Sequence, residues 1–107
     1  MAQYDVYPNP SPNPHSRRAV PFVVDVQSGL LSGLRTRLVM PLSRVGAGAP
    51  GLPRRLIPLF TIDGERLALH AHQSNSVEAR SLKSPVGTLA ASAGEIRDAL
   101  DAVVSGI

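Results

Sequence analysis

The sequence predicts a small, mainly β (α+β) domain in which about five antiparallel strands form a barrel-like sheet and one helix ends the chain. Three observations indicate this fold class. Residues 20–27 and 35–42 alternate between apolar and polar side chains, as half-buried strands do. Asp63 and Gly64 separate two apolar stretches, which is typical of a tight β-hairpin. Residues 91–107 repeat apolar side chains at the period of an α-helix.

The composition excludes several kinds of function. All 107 residues are expected to form a single domain, because a chain of this length buries one modest core. The chain lacks cysteine, so it has no disulfide, no thiolate metal site and no cysteine nucleophile. Neither a secretory signal nor a bilayer-spanning apolar stretch is visible, which predicts a cytoplasmic protein. The net charge of +3 is mild and scattered, and suits an acidic protein partner at least as well as nucleic acid.

Each alternating segment is predicted to be a strand with one inward and one outward face. The strand at residues 20–27 places Phe22, Val24 and Val26 on one face, and Asp25 and Gln27 on the other. The strand at residues 35–42 directs Leu38, Met40 and Leu42 inward, and Arg35, Arg37 and Val39 outward. Pro41 has no amide hydrogen, so it is expected to restrict this strand to a sheet edge or to mark its end.

The rest of the sheet is predicted from shorter signals. Residues 3–7 alternate like a short strand, and the two arms of the hairpin cover residues 56–62 and 65–72. Four prolines in seven residues predict an exposed, stiff loop without helix over residues 8–18. Residues 43–53 are rich in glycine and proline and predict a second long, mobile loop. The polar stretch 73–91 has only weak strand patterning, around Val77 and Leu82.

The final segment predicts an amphipathic helix. Ser92 and Glu95 have the spacing of a capping box at its start. One apolar stripe, wide enough to dock on a sheet, contains Ile96, Leu100, Val103, Val104 and Ile107. The remaining surface carries Asp98, Asp101 and Ser105, and Ser105 lies almost opposite the centre of the stripe.

The residues alone do not predict an enzyme. His70 and His72 share a strand face, but no Cys, Asp or Glu near them completes a metal site, so we interpret them as exposed polar residues and expect no metal or cofactor. A nuclease needs a charge-stabilising arginine and a proton-transfer group in one cleft. Arg35 or Arg37 with Thr36 or Ser43 could serve, but their spacing does not require it.

Three stretches of the chain resemble the CcdB toxins, the gyrase-poisoning components of type II toxin–antitoxin pairs. They are FVVDVQSGLLSGLRTRLVMPL, the hairpin LIPLFTIDGERLAL and the ending EIRDALDAVVSGI, in that order. The resemblance extends from residue 3 to the last residue, and the DVQS and GI elements are its most specific parts.

This resemblance implies a fold, a set of partners and a mode of action. The fold is the CcdB/MazF-type, SH3-like barrel with a small accessory sheet and a C-terminal helix. The partners are a second copy of the chain, with the two C-terminal helices meeting near the dyad, the DNA gyrase A subunit, and an antitoxin with an acidic disordered tail. The action is binding without chemistry. Two alternatives remain open: a MazF-like endoribonuclease using Arg35 or Arg37, and a degenerate homologue that binds only its antitoxin.

Carried over by position, the resemblance also implies a gyrase-binding set. It comprises Leu30, Leu31, Asp101, Val104, Ser105, Gly106 and Ile107. Two positions depart from the family pattern, since Ser105 stands where the family has Trp and Asp101 replaces an uncharged amide. A Trp on the outer face of this helix has no core to fill, so it makes sense as a contact with a partner, and such contacts commonly carry ~2–4 kcal/mol.

Overall fold

Seven strands form one antiparallel, nearly closed sheet in the residues that the computed structural model describes, 2–44 and 55–106. The strands are β1 (Asp5–Pro8), β2 (Phe22–Asp25), β3 (Thr36–Arg44), β4 (Leu59–Ile62), β5 (Glu65–Leu69), β6 (Asn75–Glu78) and β7 (Gly87–Thr88). Their order is β4-β5-β3-β2-β1-β7, and β6 branches off this path by pairing with β3. Two helices, α1 (Pro14–Ala19) and α2 (Ala93–Ser105), accompany the sheet. The predicted fold class is confirmed, with seven strands instead of about five.

Strand β3 lies in the middle of the sheet, so the prediction that Pro41 confines it to an edge or ends it is wrong. One side of β3 pairs with β2, and the other pairs first with β6 and then with β5. Pro41 lies between the last pair with β6, at Val39, and the first pair with β5, at Leu42. At this gap the Pro41 carbonyl accepts a hydrogen bond from the His70 amide at 3.0 Å. The missing amide hydrogen therefore interrupts no ladder.

The hairpin between β4 and β5 is confirmed. Ile62 pairs with Glu65 across a two-residue turn. Both turn residues have positive φ, 53° at Asp63 and 81° at Gly64, as a type I′ turn requires.

The proline-rich segment contains a short helix, which contradicts the prediction of a loop without helix. Helix α1 begins at Pro14, where proline is tolerated because the first helical amide has no partner within the helix. The Asn13 side chain caps the helix by accepting a hydrogen bond from the His15 amide at 2.9 Å. Residues 9–13, between β1 and α1, lie outside helix and strand. Most of the predicted loop 43–53 lies outside the described residues, but Ser43 and Arg44 belong to β3.

Both faces of the sheet are buried. The larger apolar cluster lies between the sheet and α2, and includes Val6, Val24, Met40, Leu42, Leu67, Leu69 and Ile96. A smaller cluster consists of Tyr7, Val23, Val39 and Leu82, with Val77 packed against it. The outward face predicted for Arg37 and Val39 is therefore wrong, as both side chains are buried beside this second cluster. For the same reason Asp25 and Gln27, opposite the main apolar face, are buried as well.

The alternation of β5 ends at Leu69, which changes the environment of the two histidines. The chain then enters a 3-10 turn at Ala71–Gln73, and His70 is buried while His72 remains exposed. Their rings stack with centroids 5.3 Å apart. The prediction that both are exposed is thus wrong for His70. Within the described ranges no group of three or more His, Cys, Asp and Glu side chains could hold a metal ion.

Helix α2 docks on the core through a different stripe from the predicted one. Ile96, Ala99 and Ala102 are buried, and Leu100 packs at the margin of the cluster. Val103 and Val104 were predicted to face the core, but they are 38% and 77% exposed. Ser92 is the N-cap residue, although its side chain makes no capping hydrogen bond. Neither described helix has the length and apolar character needed to cross a membrane.

Candidate partner-binding site

Three leucines project from the segment that joins β2 to β3. Residues 28–35 of this segment are called the leucine connector below. Its first part is a 3-10 turn at Gly29–Leu31, capped by the Ser28 hydroxyl, which accepts a hydrogen bond from the Leu30 amide at 3.2 Å. Leu30 is 95% exposed, and Leu31 and Leu34 are about half exposed. Large apolar side chains at this level of exposure on one short segment are typical of a surface that a partner covers.

The connector has a defined shape because its backbone closes on itself. The Leu31 amide donates to the Ser28 carbonyl at 3.0 Å, and the Leu34 amide donates to the Leu31 carbonyl at 3.1 Å. The second of these bonds turns the chain so that Leu34 follows the predicted contact residues Leu30 and Leu31 in one compact loop. The sequence prediction missed Leu34, whose signal was an apolar residue inside a stretch of Gly and Ser.

The carboxamide of Gln27 joins the middle of the connector to the residue that follows it. Its Nε2 donates to the Leu31 carbonyl at 2.9 Å and to the Thr36 carbonyl at 3.0 Å. Its Oε1 accepts a hydrogen bond from the Leu38 amide at 2.9 Å. The side chain is buried, so these three bonds use groups that have little access to water.

Gln27 rests in turn on a buried ion pair. The guanidinium of Arg37 donates to Asp25 Oδ2 from Nε at 2.8 Å and from Nη2 at 2.7 Å, and neither side chain is more than 2% exposed. The other carboxylate oxygen, Asp25 Oδ1, accepts the Gln27 amide at 3.0 Å. Burial raises the pKa of the neighbouring Tyr7 hydroxyl, the charges of Asp5 and Asp25 raise it further, and Arg37 opposes the shift.

The other predicted contact residues lie at the carboxyl end of α2. Asp101, Val104, Ser105 and Gly106 are all exposed, and Ile107 lies outside the described residues. The Ser105 hydroxyl donates to the Asp101 carbonyl one turn earlier, at 2.6 Å. Gly106 ends the helix with a left-handed φ of 76° and donates its amide to the Ala102 carbonyl at 3.0 Å.

Ser105 borders a shallow hollow. The hollow has a volume of about 430 Å³ and is lined by Arg55, Asp98, Asp101 and Ser105. Three of these four lining residues carry a charge, and Ser105 adds a hydroxyl. This end of α2 can therefore offer hydrogen bonds and charge to a partner, together with the apolar side chain of Val104.

The predicted set thus falls on two elements. Leu30 and Leu31 lie on the connector after β2, and the other described members lie in the last two turns of α2 and at its C-cap. Helix α2 itself packs against the 3-10 turns at Ala71–Gln73 and Ala90–Ser92. All described members of the set are solvent-accessible, so each is available to a partner.

A second groove lies where the start of β3 pairs with the end of β6. Its volume is about 520 Å³, and its lining includes Arg35, Thr36, Glu78 and Arg80. Arg80 Nε donates to Glu78 Oε2 at 2.7 Å, which orients the guanidinium. Of the groups considered for a nuclease, Arg35 and Thr36 line this groove, whereas Arg37 is enclosed in the ion pair and Ser43 is buried.

Comparison with known proteins identifies the family. The chain is similar in structure to the Mycobacterium tuberculosis toxin MazF-mt6, with a TM-score of 0.64 and 13% sequence identity over 78% of this chain and 85% of that one. At this identity the similarity establishes the fold alone. No curated protein sequence matches the chain. The family model described as CcdB protein matches residues 3–106, nearly the whole chain. The chain therefore belongs to the CcdB family, toxins of toxin–antitoxin pairs.

Proposed function

We propose that this protein is the toxin of a type II toxin–antitoxin pair and acts as a non-enzymatic homodimer in the cytoplasm. It binds the DNA gyrase A subunit, and an antitoxin with an acidic disordered tail neutralises it. The observation that carries the proposal is the family match over residues 3–106, combined with the exposure of every described residue of the implied contact set.

The leucine connector supplies the apolar part of the proposed gyrase contact. Burying an exposed leucine on binding removes apolar surface from water, which stabilises a complex by about 25 cal/mol per Å². Leu30 projects almost its whole side chain into solvent while its backbone is held by the Ser28 cap. A side chain presented on an ordered backbone loses little conformational entropy on binding.

The charge of the chain supports the proposed antitoxin. The net charge is +3, and helix α1 carries exposed Arg17 and Arg18 with no acidic residue in its first turn. An acidic, disordered segment gains favourable electrostatic interactions and fast association with such a surface. Neutralisation by this segment would also explain how the host cell survives while it produces the toxin.

A gyrase assay tests the main proposal. Purified protein at micromolar concentration is expected to inhibit supercoiling and to trap cleaved DNA in the gyrase complex. The double variant Leu30→Ser/Leu31→Ser is expected to lose both effects, because it removes the apolar contact. Val86→Ser serves as the matched control, since Val86 is also about half exposed but lies before β7.

Three results separate the proposal from the degenerate homologue. If the native protein neither inhibits supercoiling nor traps cleaved DNA, the gyrase proposal is wrong. Retained binding of an acidic antitoxin in that case would favour the homologue that keeps only this interaction. Growth arrest on induction without antitoxin would exclude it.

The groove beside β6 favours one alternative function, a MazF-like endoribonuclease. Arg35 and Arg80 could bind phosphate oxygens there, and the Thr36 hydroxyl could take part in proton transfer. Incubation with single-stranded RNA distinguishes the two functions. Cleavage that Arg35→Ala abolishes and Arg66→Ala preserves would support the nuclease, because Arg66 is an exposed arginine on β5. Intact RNA at micromolar protein would exclude it.

A further inference from the structure

Gln27 is the residue through which the buried interior reaches the leucine connector. Its carboxamide bonds to the carbonyl of Leu31, in the middle of the connector, and to the carbonyl of Thr36, immediately after it. One side chain therefore ties together two points of the backbone that are five residues apart. Its oxygen is held by the Leu38 amide, so the carboxamide cannot rotate without losing all three bonds.

The backbone of Gln27 is held in place as well as its side chain. The Gln27 amide donates to Asp25 Oδ1, whose other oxygen is paired with Arg37 inside the protein. A buried, hydrogen-bonded network has few alternative arrangements, since moving one member leaves a polar group without a partner in a dry site. The position of Gln27 is therefore set by the fold and does not depend on a partner being present.

We propose that Gln27 is a positioning residue that holds the leucine connector in its binding shape. This inference rests on the proposed function, because it assumes that Leu30, Leu31 and Leu34 contact the gyrase subunit. Gln27 itself is buried, so its effect on binding passes through the connector. It acts by keeping the Leu31 carbonyl in place, where that carbonyl also accepts the Leu34 amide and so fixes the turn between the two leucines.

The expected size of the effect follows from the population of the competent shape. The apparent dissociation constant equals the intrinsic constant divided by the fraction of molecules that hold the binding-competent conformation. If loss of the Gln27 bonds leaves about a tenth of the molecules with an ordered connector, affinity for gyrase falls about tenfold. The leucine side chains would be unchanged.

Gln27→Met is the informative variant, because it retains the length of the side chain and removes its donors and acceptor. Gln3→Met is the matched control, since Gln3 Nε2 makes the same kind of bond, to the Val26 carbonyl at 3.0 Å, outside the connector. Leu30→Ser is the reference for a lost contact residue. Denaturant unfolding first establishes that each variant is folded, and Gln27→Asn, whose shorter side chain keeps the carboxamide away from the Leu31 and Thr36 carbonyls, takes the place of Gln27→Met if that variant is not.

Two measurements are made on the folded chains: amide hydrogen exchange and affinity for the purified gyrase A subunit. In Gln27→Met we expect the amides of Leu31, Ser32 and Leu34, which are bonded within the connector, to exchange at least about tenfold faster, and affinity to fall about tenfold. In Gln3→Met neither should change. In Leu30→Ser the connector amides should exchange as in the native protein while affinity is lost.

The outcomes separate this inference from the proposed function. Unchanged exchange in the connector of Gln27→Met overturns the positioning role. Faster exchange with unchanged affinity also overturns it, provided that Leu30→Ser weakens binding and so upholds the contact site. If the native protein binds no gyrase, the proposed function fails, and with it the binding role of the connector. Exchange then decides only whether Gln27 orders the segment.

Discussion

Asp25 and Arg37 form an ion pair that water does not reach. Removing two charges from water is expensive, and their attraction compensates only when the geometry is good and the remaining polar atoms have partners. Here two guanidinium nitrogens approach one carboxylate oxygen within 2.8 Å, and the other oxygen accepts the Gln27 amide. The pair is therefore tolerated in the core, and either partner without the other would be an uncompensated buried charge.

Arg37→Ala is expected to lower the free energy of unfolding by about 3–5 kcal/mol, because it leaves the Asp25 carboxylate buried and unpaired. Denaturant-induced unfolding measures this change. The control is Arg80→Ala, which breaks the exposed pair with Glu78 and should change stability by less than about 1 kcal/mol. Equal effects of the two substitutions would show that burial of the Asp25–Arg37 pair has no energetic consequence.

The raised pKa of Tyr7 predicts that the protein loses stability at alkaline pH. Its pKa is raised from the ordinary value of 10.0 by burial, and further by Asp5 and Asp25, against the opposing charge of Arg37. The folded protein thus holds this proton more tightly than the unfolded chain, so above about pH 10 the free energy of unfolding falls as the pH rises. Tyr7→Phe should have a shallower fall than the native protein between about pH 10 and 11 in denaturant unfolding. Parallel curves would contradict the assignment.

At the scale of elements, local turn chemistry and strand alternation could be predicted, because they depend on neighbouring residues. The Asp63-Gly64 turn requires only two residues that accept positive φ, and β2 can be recognised from its alternation of apolar and polar side chains. What covers a face depends on distant residues. Nothing local to β3 indicates that Tyr7 and Leu82 cover its second face, or that Pro41 falls at a change of partner strand. Arg37 was consequently predicted to be exposed.

The register of α2 was missed for a related reason. Helical periodicity counted the large apolar residues, but the helix packs through Ala99 and Ala102 near the turn at Ala71–Gln73. Small side chains let a helix backbone approach its neighbour closely, which favours them where packing distance is short. Val103 and Val104 consequently turn toward solvent, where a partner can reach them. The proposed gyrase-binding positions came from family resemblance and could not be predicted from periodicity.

Placing an aromatic residue at position 105 of α2 is a direct test of the proposed contact at its carboxyl end. Ser105→Trp should increase affinity for gyrase by roughly 30- to 1000-fold, if the new side chain contributes the ~2–4 kcal/mol of a central interface residue. Stability should change by less than about 0.5 kcal/mol, because Ser105 is exposed and makes one local bond. Arg97→Trp, at an exposed position of α2 that does not line the hollow, is the control for non-specific apolar binding. Equal gains from both variants would argue against a contact at position 105.

At the scale of the whole molecule, the exposed apolar residues lie at separate places with different consequences. The leucine connector is ordered from within by Gln27, and the end of α2 is ordered by its packing on the core. A homodimer in which the α2 helices meet near the dyad would cover Val103 and Val104 and leave Leu30 free for the target. Val104 would then serve both self-association and target binding, whereas Leu30 would serve target binding alone, so substitutions at these two positions can separate the two roles.

Val104→Asp is expected to convert the proposed dimer into a monomer, because two copies of the new carboxylate would face each other near the dyad. Light scattering during size-exclusion chromatography measures the mass, which should fall by half at micromolar concentration. Leu30→Asp adds the same charge to a more exposed residue on the connector and should leave the mass unchanged. If Leu30→Asp dissociates the protein and Val104→Asp does not, the self-association surface lies on the connector. The apolar end of α2 would then belong to the partner alone.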